Sequence, residues 1–348
     1  MSGTELRIEA VAAKKYPALI AGIRFSSAAL SRLRDALGSG LRLMAEDTPC
    51  IAVCGSLARL EASAESDLDF MIIYPRDVPK ERRLGFRDKV NEIISQVKMP
   101  LDVTDRTFDR PNPKGVFAGD AFGPEIYGRI GSKEEDYSNI ARRMLILLEC
   151  QWLWNQGYFD SLRTELISRY GSDVAADPTK NLVLLINDLI RYFRSICVNY
   201  HDQMASEYGK WPIRNLKLRH SRVLMYSSLL FALGELSKYE YSSDAKKKLS
   251  TLRQYIEWPA LERYVRLYEA NKDDNIFRLL GLYAFFLSRL SDNRAREALK
   301  DLEYNDRYTL PEFSALKSNS DAFMSELSRF VHARRGVWSD RFFEYLLF

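Results

Sequence analysis

Apolar residues recur at helical spacing over residues 25–44, where Ala29, Leu30, Leu33, Leu37 and Leu41 share one face. The period then shortens. A compact apolar run at 50–54 reads as a strand, Gly55-Ser56 opens a short helix, and a polar loop leads to a second strand over 67–74. Helical spacing returns over 80–97 with Leu84, Val90, Ile93, Ile94 and Val97 inward, and residues 101–103 read as a strand completing a β-α-β-like core. Residues 104–124 are rich in Asp, Pro, Gly and Asn, a composition for turns, and read as a linker or the rim of a site. Beyond residue 138 nearly everything is helical in pattern: 140–156, 182–204, 213–236, a helix after Trp258, and further helices to Phe348. Gly157, Gly171, Trp211-Pro212, Trp258-Pro259 and Leu310-Pro311 mark the breaks. No fixed repeat period runs through this half, which favours one compact helical domain over a solenoid.

The expected fold class is therefore α+β. Residues 1–24 form an arm or short helix, 25–130 a small mixed sheet with flanking helices, and 131–348 an all-helical domain. A chain of 348 residues is long enough for two cores, and 46% apolar with 28% charged residues is an ordinary globular composition. The net charge of +4 permits an anionic ligand without arguing for nucleic acid, and no specific DNA binding is expected. Cys50, Cys54, Cys150 and Cys197 lack Cys-x-x-Cys spacing and read as buried free thiols, which suits a reducing compartment. The stretch MSGTELRIEAVAAKKYPALIAGIRF has no signal-peptide core and no segment is long enough to span a bilayer, so a cytoplasmic protein is expected.

The chemistry concentrates between residues 51 and 74, IAVCGSLARLEASAESDLDFMIIY. Side chains alternate across a strand, so Asp67 and Asp69 project from one face while Leu68, Phe70 and Ile72 project from the other. Two carboxylates in one small volume repel one another and suit a hard divalent cation such as Mg²⁺. Gly55 and Ser56 stand where a helix begins, with unpaired N–H groups that favour a phosphate and a glycine that lets it approach the backbone.

Gly-Ser, a ten-residue spacer and Asp-x-Asp in an apolar strand resemble the signature of the DNA polymerase β-like nucleotidyltransferase superfamily. The wording GSLARLEASAESDLDFMIIY is most similar to its GlnD-like branch, which contains the PII-protein uridylyltransferases. The resemblance covers about residues 25–105 and implies a nucleotidyltransferase core followed by the helical domain. It also implies a third carboxylate on a neighbouring strand, matched here by Asp102 in Met99-Pro-Leu-Asp-Val. The implied reaction is attack of an acceptor hydroxyl on the α-phosphorus of a nucleoside triphosphate such as ATP or UTP, with pyrophosphate leaving. Asp67, Asp69 and Asp102 would hold Mg²⁺, or Mn²⁺, with Asp102 also drawing off the acceptor proton. Gly55 and Ser56 would grip the β- and γ-phosphates. Arg59 lies one turn beyond, positioned either to assist them or to pair with Glu61 or Glu65.

In the helical half, Asn187, Arg191 and Arg194 form a polar stripe on an otherwise apolar helix, and Lys210, Arg214, Lys217, Arg219 and Arg222 follow with no acid among them. One reading has these cations, Arg191, Arg194 and Lys217 first among them, bind the triphosphate or acceptor, as helical domains of polymerase β-like enzymes do. The other has them pair with acids such as Asp188, Glu207 or Glu235, or face solvent. His201, His220 and His332 have no ligand spacing and read as surface or helix-polar residues, and Lys246, Lys247 and Lys248 as a solvated face. The aromatic ending at 338–348 reads as a packed terminal helix. The acceptor is open between a protein, a tRNA end, a nucleotide and a small molecule; the nucleotide case would make the chain an oligonucleotide second-messenger synthase. Two readings from other classes remain: a catalytically silent nucleotide-binding regulatory module, and a helical interaction protein whose Asp67 and Asp69 are ordinary loop acids.

Overall fold

The computed structural model describes residues 6–42, 48–100, 106–108, 120–128, 130–206, 211–300 and 302–347, the side chains of 203–206 excepted. The chain is a mostly helical α+β protein with a small mixed sheet toward its amino-terminal side and a helical carboxy-terminal region. It divides into two compact units, one of Ala21–Arg169 and one of Met1–Ile20 with Tyr170–Phe348.

In chain order the first elements are α1 (Arg7–Ala12), α2 (Pro17–Gly40), β1 (Cys50–Cys54), α3 (Gly55–Ala58), β2 (Asp69–Tyr74) and α4 (Lys80–Gln96). They are followed by β3 (Ala121–Phe122), α5 (Gly123–Gly128), α6 (Tyr137–Leu148), β4 (Gln151–Trp154) and α7 (Gln156–Tyr170). Among the described residues the sheet has the order β3-β2-β1-β4. β1 lies antiparallel to both β2 and β4, while β2 and β3 are parallel, joined through α4. Every residue of β1 is buried, which is why that run is apolar on both faces.

Several boundaries differ from the sequence expectation. The helix expected from residue 25 starts at Pro17, whose fixed φ suits a first helical position. Leu84, expected to point inward on α4, is 50% exposed; Val90 and Ile94 carry the burial of that helix. The helix expected over 140–156 stops at Leu148, and Gln151–Trp154 pairs with β1 as a strand. The apolar run there has no polar face to give a helix, and the open edge of β1 takes it. The sheet therefore reaches past the expected boundary at 130. The strand expected at 101–103 lies outside the described residues. β2 is instead flanked by β3, inside the stretch expected to be irregular, and an isolated bridge pairs Lys98 with Thr107.

The helical unit contains α1 and then α8 (Ser172–Ala176), α9 (Val183–Ser206), α10 (Trp211–Lys217), α11 (Val223–Glu235) and α12 (Ala245–Glu257). It ends with α13 (Ala260–Ala270), α14 (Ile276–Leu290), α15 (Asn293–Lys300), α16 (Pro311–His332) and α17 (Asp340–Leu347). Residues read as a possible arm are anchored here: the buried Glu262 carboxylate accepts from the Arg7 and Ile8 N–H groups at 3.1 and 2.9 Å, satisfying orphan donors at the start of α1. The aromatic ending packs as expected, with Trp338 and Phe342 buried and Trp338 Nε1 donating to Glu235 at 3.1 Å. No helix among the described residues is long and apolar enough to cross a membrane.

Two polar residues are more buried than the sequence suggested. Lys248, grouped with a solvated face, is 1% exposed and donates to the carbonyls of Pro178 and Lys180 at 2.8 and 2.7 Å; Lys246 and Lys247 stay outside. His220 sits in a π-helical turn, Leu218–Arg222, between α10 and α11. Its ring stacks on Phe286, Nδ1 donates to Leu216 O at 2.9 Å, and Nε2 accepts from Asn319 at 2.9 Å. Burial pushes its pKa down to about 4.

The unfolded chain therefore takes up the imidazole proton at higher pH than the folded one. The His220 contribution is fully present above about pH 6.5 and is lost as pH falls toward 4, a loss of roughly 3 kcal/mol. Urea denaturation at pH 7 and pH 4 checks this: the fall in stability should be smaller by about that amount in His220→Phe than in the wild type.

Candidate active site at the end of β1

The sharpest local feature is the exit from β1. Gly55 has φ +73°, a conformation that glycine adopts without penalty, and Cys54 opposite Asp69 is the last pair of the β1–β2 ladder. A β-carbon at position 55 would come within 3.1 Å of Asp69 Oδ2. The glycine thus serves two ends at once: it turns the chain from strand to helix and leaves room for a carboxylate against the backbone.

The helix it opens lasts one turn. Leu60, with φ +62°, closes it: its N–H donates to Leu57 O at 3.2 Å and the Glu61 N–H to Ser56 O at 3.0 Å, the paired bonds of a Schellman ending. A left-handed leucine costs about 1–2 kcal/mol, offset by burial of its side chain. This stop turns the Arg59 side chain inward, where it is 6% exposed. Its Nε donates to Glu61 Oε1 at 2.6 Å, and its Nη1 donates to Glu149 Oε2.

Glu149 also reaches the glycine. Its Oε1 accepts from the Gly55 N–H at 3.3 Å, so one buried carboxylate bridges the guanidinium and the turn. Gln151, two residues on, donates from Nε2 to Ala58 O at 2.5 Å. Glu149 lies between α6 and β4, and Gln151 is the first residue of β4. Sequence reasoning passed over them because that segment was read as helix; the available signal was an acid and an amide inside an otherwise apolar run, each needing a buried partner.

Gly55, Ser56, Arg59 and Asp69 are therefore gathered around one strand end. Ser56 is half-buried at the start of α3, and Asp69 is half-buried as the first residue of β2. Asp67 is exposed and precedes the strand rather than lying within it, since the ladder ends where Gly55 turns β1 away. Leu68 and Phe70 are buried while Asp67 and Asp69 are not, but past Asp69 every residue of β2 is buried, so the strand alternation expected from 67 to 74 does not extend along it. Asp102 lies outside the described residues. Among the described residues no group of three or more His, Cys, Asp or Glu is placed to hold a metal ion. Of the two acids suggested for Arg59, Glu61 takes it, and Glu65 pairs with Arg106 at 3.2 Å.

Arg191, Arg194 and Lys217 belong to the helical unit and are all exposed there. Arg191 pairs with Asp188 at 3.0 Å, the acid named by the structural reading, and Asp188 also accepts from Tyr170 at 2.6 Å. Arg219 donates to Ser320 at 2.8 Å and pairs with Asp321 on α16. Arg194 stands near Tyr226, whose phenol burial raises to about 12 against the opposing pull of that guanidinium. Comparison of the chain with models of protein families and with curated proteins finds no match.

Gly55→Ala should lower stability by about 1–2 kcal/mol through the left-handed backbone alone, with more from the 3.1 Å approach of Asp69. Arg59→Ala should cost more, about 3–5 kcal/mol, because it removes the guanidinium that balances two buried carboxylates. Chemical denaturation of both variants checks the order, which reverses if the Arg59 pairs are solvent-screened.

Proposed function

We propose that the chain is a divalent-metal-dependent nucleotidyltransferase that moves a nucleoside monophosphate from a nucleoside triphosphate to an acceptor, releasing pyrophosphate. The observation carrying this reading is the approach of the Asp69 carboxylate to the Gly55 backbone at the shared end of β1 and β2. A group suited to a metal thus lies against one suited to a phosphate. The sequence resemblance to polymerase β-like enzymes points the same way.

Asp67 and Asp69, with Asp102 as the third member, would hold Mg²⁺ or Mn²⁺. The donors fit in kind: Mg²⁺ prefers oxygen and is commonly held by one or two carboxylates together with substrate phosphates and water. Bound there, it would neutralise charge on the triphosphate and on the leaving pyrophosphate. The remaining work falls to the chain itself. The Gly55 turn and the Ser56 hydroxyl bind the β- and γ-phosphates, and Asp102 takes the proton of the acceptor hydroxyl. The acceptor is a protein, a tRNA end, a small molecule or another nucleotide, the last making the chain an oligonucleotide synthase.

One observation favours a second reading. Glu149 occupies the Gly55 N–H, and a carboxylate there competes with a phosphate for the same donor and repels it. In the enzyme, Glu149 gives up the Gly55 N–H when the triphosphate arrives and keeps its bond to Arg59. In a silent nucleotide-binding module it stays and catalysis is absent.

Incubation with each α-³²P-labelled nucleoside triphosphate and Mg²⁺ or Mn²⁺, alone and with cell extract, separates these. Label should enter one of the protein, RNA or small-molecule fractions and fall by roughly 100-fold or more in Asp69→Asn. Thermal stabilisation by ATP or UTP should depend on Mg²⁺ and vanish in the variant carrying both Asp67→Asn and Asp69→Asn. Metal-dependent stabilisation without label moves the conclusion to the silent module; no metal-dependent response removes both readings.

A further inference from the structure

Cys54 and Cys150 meet inside the sheet unit. β1 and β4 run antiparallel with Ala52 opposite Trp152 and Val53 opposite Gln151. One residue further in the same register Cys54 faces Cys150, and the two Sγ atoms stand 2.6 Å apart. Opposed residues of an antiparallel pair have Cα atoms about 4.5–5.5 Å apart, inside the roughly 4.4–6.8 Å span that a disulfide bridges. The other two thiols are placed differently: Cys50 sits opposite Ile73 in the β1–β2 ladder, and Cys197 belongs to the helical unit.

We propose that Cys54 and Cys150 are a disulfide-forming pair, closed by a peroxide, whose closure fixes the Gly55 turn against Glu149. The balance is simple. One sulfur, deprotonated, attacks hydrogen peroxide, breaking the O–O bond to give a sulfenic acid and water; the second sulfur displaces the sulfenic oxygen as another water. Two S–H bonds are lost, one S–S bond forms, and two electrons pass from sulfur to peroxide.

The neighbours of the pair give it a consequence. Cys54 precedes Gly55 and Cys150 follows Glu149, the two residues joined by the 3.3 Å hydrogen bond between backbone and carboxylate. A crosslink on the far side of that bond holds the carboxylate on the amide, which disfavours a phosphate at Gly55; this last step rests on the proposed function. Burial, with the neighbouring Cys150 thiol, raises the Cys54 thiol well above its ordinary range. Both sulfurs are buried, so the finished bond is shielded from reductants.

The test uses the wild-type full chain, exposed to hydrogen peroxide, alkylated after denaturation and mapped by mass spectrometry. The expected result is loss of two of the four thiols, a crosslinked peptide joining Cys54 to Cys150, and a melting temperature higher by roughly 5–10 °C. A thiol reductant should reverse the bond in denaturant and not in native buffer. Cys150→Ser should give no such peptide. Four alkylatable thiols after exposure, or a crosslink through Cys50 or Cys197, overturns the pairing, and the wild-type map decides this even if the variant does not fold. Mg²⁺-ATP stabilisation of reduced and oxidised protein then tests the consequence: a weaker response after closure supports it, and an equal response overturns the coupling to Gly55. Absence of any nucleotide response in both forms counts against the nucleotidyltransferase reading while leaving the crosslink result standing.

Discussion

A buried guanidinium must be surrounded by acceptors, and in the sheet unit Arg59 imposes that requirement on everything near it. Its partners come from two sides: Glu61, just past the short helix, and Glu149, between α6 and β4. Satisfying Arg59 therefore fixes the position of the loop after β1 relative to the strand that pairs with β1's other edge. Removing either acid would leave charge in a low-dielectric interior, and this is why the local geometry tolerates a left-handed leucine at position 60.

The same cluster sets the chemistry available at the strand end. Glu149 reaches the Gly55 amide with one oxygen while Arg59 holds the other. Asp69 reaches the Gly55 backbone from the opposite strand because no β-carbon stands in the way. One glycine is thus approached by two carboxylates from different segments of the chain: Glu149, tied to a guanidinium, and the half-buried Asp69.

The helical unit solves its own burial problems by similar means. Lys248 is completed by two carbonyls, His220 by a carbonyl and an amide, and Glu262 by the first N–H groups of α1. Each is a polar group with at least one partner far away in sequence, so its burial could not be inferred from local composition. Basic residues nearer the surface are paired as well: the exposed Arg191 with the buried Asp188 three positions back, and the half-buried Arg219 with the exposed Asp321 on α16.

The amino-acid sequence by itself determined the elements with strong periodicity and the residues at their ends. The apolar run of β1, the Gly-Ser turn, and the long amphipathic helices beyond residue 180 were all legible, because each depends on neighbours within a few positions. What tertiary structure decided was pairing. Whether Gln151–Trp154 became helix or strand depended on the free edge of β1, a hydrogen-bonding surface about a hundred residues upstream in the chain. That choice brought Glu149 onto Gly55 and Cys150 onto Cys54, and assigned Arg59 to acids rather than leaving it for an anion. Local pattern names the groups that chemistry requires, whereas the partners of a buried charge or thiol are set by which distant strand closes over it.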